Sequence, residues 1–128
     1  MDSLASTFLA LHRAGLEYTV AAMSDADLEL SLLSCREALG TDHLTPRELA
    51  DLTAIGDEME GEIRARLEPA VYGEWARGVL RAYVAAFGGT PGEAIETLRA
   101  HRPRLMGLFA AEHTPESAVQ AFGARAAA

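Results

Sequence analysis

Apolar residues recur at steps of three and four along most of the chain, which is the spacing of one face of an α-helix. The clearest run places an apolar stripe on one helix face at Leu49, Leu52, Gly56, Met59 and Ile63. No window alternates apolar and polar residues with the period of two that a half-buried strand needs. The pattern predicts helices over residues 3–22, 25–39, 46–68, 70–87, 91–101, 103–112 and 115–124.

Three Thr-Pro pairs mark helix starts: Thr45-Pro46, Thr90-Pro91 and Thr114-Pro115. A threonine hydroxyl can accept a hydrogen bond from a free amide of the first turn, and proline is well tolerated at the first helical position. Glu48 and Glu93 follow their threonines by three residues, which is the spacing of a capping box. These pairs therefore predict where three of the helices begin.

The length and composition agree with a helical fold. A chain of 128 residues with 49% hydrophobic residues has the size and apolar content of one ordinary domain. Alanine and leucine favour helices, and the β-branched residues that favour strands are scarce. We predict one all-α domain over residues 1–128, a compact bundle of six or seven helices with a frayed tail after about residue 123. Helices 46–68 and 70–87 form its longest pair, either as a hairpin or through a kink at Pro69.

The net charge of −8 excludes several kinds of partner. An acidic chain lacks the positive field that binds nucleic acid or an anionic membrane. No apolar stretch approaches the roughly 20 residues that span a bilayer, and the first residues lack the basic region of a signal peptide. With a single cysteine, a cytoplasmic protein is expected. The absence of lysine and asparagine resembles the codon bias of a GC-rich bacterial genome.

The acidic residues concentrate in the first half of the chain. Residues 1–68 carry a net charge of −9, and the densest acidic run spans 57–62, with Glu58 and Glu62 on one helix face. Two favourable i,i+4 pairs, Glu60 with Arg64 and Glu62 with Arg66, are typical of a solvated helix face. We therefore expect this face to be exposed, and available to a partner.

The second half carries a net charge of +1 and contains the only basic cluster, Arg99, Arg102 and Arg104. Arginine binds carboxylates and phosphates through a bidentate fork, although arginines near a helix end also complement the helix dipole. If both clusters are exposed, each can meet an oppositely charged partner, or the other cluster on a second copy of the chain.

The sequence predicts no metal, cofactor or catalytic residue. No glutamate stands three residues before a histidine, as a di-iron bundle requires. Cys35 lies on the apolar stripe of helix 25–39, which indicates a buried thiol. Residues 47–53 resemble the first helix of a helix-turn-helix motif, but four acidic residues would then face phosphates. An enzyme is accordingly disfavoured.

An aromatic stripe follows helix 70–87: Tyr72, Trp75, Val79, Tyr83 and Phe87. Such a stripe is either core packing or the wall of a pocket, for which Tyr72, Trp75 and Tyr83 are the candidate residues. A closed, largely apolar pocket above about 300 Å³ beside Trp75 would favour a ligand. The stretch 101–105 together with 114–116 resembles the end of the helical drug-sensing domains of TipA-type regulators, and this resemblance also implies ligand binding.

Three hypotheses for function follow. The first is a non-catalytic acidic regulator, adaptor or assembly factor that binds a protein partner or itself. The second is a helical bundle that binds a small apolar molecule near Trp75. The third is a metal-dependent or acid–base enzyme, which would require titratable groups that converge in a pocket.

Overall fold

The computed structural model describes residues 20–40 and 44–126, with side chains up to residue 123. A 3-10 turn, Val20–Ala22, precedes six helices: α1 (Asp25–Leu39), α2 (Pro46–Leu67), α3 (Pro69–Phe87), α4 (Pro91–Ala100), α5 (Arg102–Ala110) and α6 (Pro115–Ala126). The described residues form no strand, so the all-α prediction is confirmed. The predicted helix 3–22 lies outside the described residues except for the 3-10 turn.

The predicted helix starts are confirmed at all three threonines. Thr45 Oγ1 accepts a hydrogen bond from the Glu48 amide at 3.1 Å, and Glu48 Oε1 accepts one from the Thr45 amide at 3.1 Å, which completes a capping box. Thr90 Oγ1 accepts from the Glu93 amide, but the Glu93 carboxylate accepts from the Thr90 hydroxyl instead of the backbone. Thr114 Oγ1 accepts from the Ser117 amide. Local capping thus determines where these helices begin.

Pro69 starts a new helix. Glu68 leaves the helical conformation, with φ −130° and ψ 65°, and Pro69 occupies the first turn of α3, where its missing N–H costs no hydrogen bond. The two longest helices do not pack along each other as a hairpin. Instead α2 packs mainly on α1 and α5, whereas α3 packs mainly on α6 and α4.

The buried apolar residues form three clusters. One lies between α1 and α2 and contains Leu28, Cys35, Leu52, Ile55 and Met59 among others. A second joins α3 to α4, α5 and α6, and a third joins α2 and α5 to the start of α3. Helix α2 is consequently covered on two faces, by α1 and by α5.

Two features of this core bear on the predictions. The Cys35 thiol is fully buried and donates to the Leu52 carbonyl at 3.3 Å, and burial raises the pKa of the thiol, so the buried-thiol interpretation is confirmed. Leu49, predicted on the core face, is 48% exposed. It lies in the first turn of α2, before Leu52, where the buried part of that face begins.

Candidate functional site

A cavity of about 330 Å³ lies between α3, α4 and the start of α5. Most of its wall is apolar and is contributed by Val79, Leu80, Ile95, Leu98 and Leu105. Tyr72 and Trp75 line the same cavity, so two of the three predicted pocket residues lie together there. Its volume and apolar lining suit a small organic molecule, but it opens to solvent and is therefore not the closed pocket that the sequence hypothesis required.

Trp75 is held firmly in place at this cavity. Its indole Nε1 donates a hydrogen bond of 2.7 Å to the His113 carbonyl. Its ring lies 5.1 Å from the Phe109 ring and 6.2 Å from the Tyr72 ring, centroid to centroid. Because both its polar and its aromatic contacts are satisfied within the fold, the indole forms a fixed wall of the cavity.

Two short connections bring the cavity together. Gly88 and Gly89 adopt φ values of +77° and +86°, a backbone conformation that favours glycine, and they turn the chain so that α4 packs back against α3. His101 alone separates α4 from α5. Arg99, in the last turn of α4, and Arg102, at the start of α5, therefore line the same cavity.

A buried carboxylate anchors Arg102. The Glu62 side chain is only 6% exposed, and its Oε2 lies 2.8 Å from Arg102 Nη1 in an ion pair that lacks hydrogen-bond geometry. The other oxygen, Oε1, accepts a hydrogen bond of 3.1 Å from Arg66 Nε. Arg66 in turn pairs with Asp25 at 2.8 Å. This network ties α5 to α2 and to the start of α1.

Glu58 lies one turn before Glu62 and is 7% exposed. The pKa of the Glu58 carboxyl is raised to about 7, mainly by burial, which outweighs the opposing pull of Arg102 and is assisted by the nearby Glu62 charge. Glu58 borders a separate groove of about 450 Å³ between α2 and α5, and is not among the residues that line the Trp75 cavity. Burial also raises the pKa of the Tyr72 hydroxyl, which Arg102 opposes.

The expectation of a solvated acidic face is wrong for Glu58 and Glu62. Both are buried because α5 covers the side of α2 opposite α1. The predicted pair of Glu62 with Arg66 forms. Glu60 pairs with Arg36 of α1 instead of Arg64. These two carboxylates are therefore not an exposed docking surface.

The predicted basic cluster is divided between two places. Arg99 and Arg102 line the cavity, whereas Arg104 Nη2 donates to the Ala121 carbonyl at 2.6 Å and its guanidinium lies 5.7 Å from the centre of the Phe122 ring. Arg104 is thus directed to α6. An i,i+2 spacing across a helix start separates the two side chains by roughly 200° around the axis, which accounts for the division.

The third predicted pocket residue, Tyr83, also lies elsewhere. Its ring lies 4.9 Å from the Phe87 ring and 6.0 Å from the Phe122 ring, against α6. Phe87 itself remains 53% exposed at the end of α3. The first part of the aromatic stripe therefore lines the cavity, and its last part packs against α6.

Sequence reasoning did not find Arg77, which lines the cavity beside Trp75. Nothing in its local sequence distinguishes Arg77 from Arg81 on the same helix. Only the return of α4 onto α3 places Arg77 and Arg99 at one cavity. The apolar lining residues on α4, Ile95 and Leu98, were likewise assigned no role beyond the helix itself.

Comparisons with protein-family models, with curated proteins and with solved structures find no match to this chain. The resemblance to TipA-type regulators thus gains no support from them. Among residues 20–40 and 44–126, no three His, Cys, Asp or Glu side chains are grouped so that they could hold a metal ion. No helix in these ranges is both long and apolar enough to cross a membrane.

Proposed function

We propose that this protein is a non-catalytic helical bundle that binds a small organic molecule in the cavity beside Trp75. The observation that carries the proposal is the cavity itself, about 330 Å³ in volume, with a mainly apolar wall and a fixed indole. Its volume falls within the range of about 300–1,000 Å³ that is usual for ligand pockets. Burial of a ligand against this wall would supply the hydrophobic part of the binding energy.

The position of the titratable groups favours binding over catalysis. An acid–base site needs groups with displaced pKa values that converge on the bound substrate. The strongly displaced carboxyl, Glu58, borders the groove between α2 and α5 and not the cavity. Within residues 20–40 and 44–123, no Asp, Glu, His or Cys lines the Trp75 cavity. We therefore place the enzyme hypothesis last.

Binding can be tested with octanamide, a neutral molecule of about ten non-hydrogen atoms that suits the cavity. Trp75 is the single tryptophan of the chain, so its fluorescence reports directly on the cavity wall. At about 0.3–0.5 kcal/mol for each non-hydrogen atom, we expect a dissociation constant of about 1 mM. Isothermal titration calorimetry gives the stoichiometry, which should be one.

A matched pair of variants locates the site. Ala76→Phe places a ring at a cavity-lining position and should weaken octanamide binding at least tenfold. Ala86→Phe adds the same ring on the same helix at an exposed position and should bind as the wild type does. Equal binding by all three proteins, or no binding by any of them, would contradict the proposal.

A protein-binding role is the second candidate, and the outer face of α1 favours it. Leu30 and Leu33 are 63% and 60% exposed on this helix, and large apolar side chains exposed side by side are typical of contact surfaces. With Glu58 and Glu62 buried, the supporting surface is apolar and not the acidic one expected from the sequence. We propose that a second copy of the chain packs on this face.

Sedimentation equilibrium tests this second candidate. A dimer held by Leu30 and Leu33 should persist at high salt, because hydrophobic burial is not screened. Leu33→Glu should then yield a monomer, while Ser31→Glu, a substitution at a less exposed position of the same helix, provides a comparison. A wild-type protein that is monomeric at all concentrations would rule out self-association.

A further inference from the structure

The cavity beside Trp75 has an electrostatic character unlike that of the chain as a whole. The protein carries a net charge of −8. Nevertheless, among the residues that the structure describes, three arginines line the cavity, Arg77, Arg99 and Arg102, and no acidic residue does. A cavity that gathers the cations of an acidic chain attracts anions in preference to neutral molecules.

The three guanidinium groups are not equivalent. Arg102 is ion-paired to the buried Glu62 at 2.8 Å, so its charge is largely compensated within the fold. Arg77 and Arg99 are exposed and form no ion pair with any other described residue. The cavity consequently presents to a ligand two guanidinium groups that form no ion pair with a described residue.

The volume of the cavity indicates the size of the ligand's apolar part. If a methylene group occupies about as much space as a water molecule in the liquid, about 30 Å³, then 330 Å³ holds about eleven non-hydrogen atoms. This is enough for one chain of about eight to ten carbons or for a small ring system. A free molecule with one such chain is therefore the appropriate probe of the site.

We propose that the ligand is a free amphipathic carboxylate, with its apolar body against Trp75 and Leu98 and its carboxylate held by Arg99. Arginine at the end of a short helix offers two parallel N–H groups to the two carboxylate oxygens. Arg77 on the facing helix supplies the second positive charge. This inference rests on the proposed ligand-binding function and specifies the chemistry of that same site.

The test compares octanoate with octanamide, which have the same chain and number of non-hydrogen atoms and differ in charge. Tryptophan fluorescence and calorimetry should show that the wild-type protein binds octanoate about tenfold more tightly than octanamide. Arg99→Gln should abolish most of this preference, measured as the ratio of the octanoate and octanamide dissociation constants in the same variant. Arg81→Gln is the matched control, because Arg81 is an exposed arginine of α3 that does not line the cavity.

The possible outcomes distinguish the carboxylate inference from the ligand-binding function on which it rests. Equal affinity for octanoate and octanamide in the wild-type protein would overturn the carboxylate inference and leave the ligand-binding function intact. An equal loss of preference in Arg81→Gln and Arg99→Gln would also overturn it, because the attraction would then come from the general surface charge and not from the cavity. Failure of both compounds to bind would overturn the ligand-binding function as well. Circular dichroism verifies that the variants are folded.

Discussion

Glu58→Gln is expected to stabilise the protein at about pH 8 and to have little effect on stability at about pH 5. The Glu58 carboxyl is 7% exposed, and burial raises its pKa from 4.5 to about 7. The folded protein therefore holds this proton more tightly than the unfolded chain does. The stability that protonation provides is fully present below pH 4.5 and is lost as the pH rises through about 7.

The expected size follows from the displacement of the pKa. Each pKa unit corresponds to about 1.4 kcal/mol, so the displacement of the Glu58 pKa from 4.5 to about 7 costs the folded state about 3 kcal/mol at about pH 8. Glutamine has nearly the same shape as the protonated carboxyl and cannot ionise. Between about pH 5 and pH 8, the stability of the variant should therefore fall much less than that of the wild-type protein.

Urea unfolding at both pH values, followed by circular dichroism, measures this effect. Glu96→Gln, at an exposed position of α4, controls for the change in net charge and should not flatten the pH dependence. If wild-type protein and Glu58→Gln show parallel stability curves across this pH range, Glu58 is not a buried acid in solution. Glu62 and Arg102, which also affect the pKa of Glu58, are unchanged in both variants.

Gly61→Ala is expected to destabilise the protein by about 3 kcal/mol, at the upper end of the cost of overpacking a core. Gly61 lies on α2 where it crosses α5, and a β-carbon there would lie 3.0 Å from Met106 Cα and still closer to the Met106 carbonyl group. These are backbone atoms, which cannot rotate away as a flexible side chain can. Relief requires that α2 and α5 move apart, with loss of contacts around Met106.

Gly73→Ala is the matched control for this substitution. Gly73 lies in the second turn of α3, and a β-carbon there would meet no atom within 4 Å. Alanine should stabilise α3 by about 0.5–1 kcal/mol, because it loses less backbone entropy than glycine on folding. Urea unfolding of both variants should give changes of opposite sign. Two changes of the same sign would mean that α2 and α5 do not cross so closely.

The glycine at the helix crossing also shows why the burial of acidic residues escaped sequence reasoning. The stripe of Leu52, Gly56 and Met59 was recognised as buried, but α2 has a second buried face that includes Gly61 and Glu62. Charged residues on a helix normally face solvent, so the i,i+4 pairing of Glu62 with Arg66 suggested exposure. Because α5 packs closely on this face of α2, the acidic side chains there are buried instead.

The sequence pointed to several of the residues that line the cavity, but not to the fact that they lie together. Tyr72, Trp75, Arg99 and Arg102 were all singled out, for two different reasons, and the fold brings them to one cavity. Tyr83 and Arg104, singled out by the same reasoning, are directed to α6. Periodicity places residues on one helix but does not state which helix packs against each part of the stripe.

Within the described residues, the sequence by itself determined the six helices and, to within two residues, where they begin and end. Capping by Thr45, Thr90 and Thr114 and the restriction imposed by proline act within about four residues, so they can be recognised without knowledge of the fold. Only the tertiary structure decided that Glu58 and Glu62 are buried and that Arg77 and Arg99 share a cavity. These outcomes depend on contacts between distant parts of the chain, where backbone distance and shape set the free energy, and no local pattern records them.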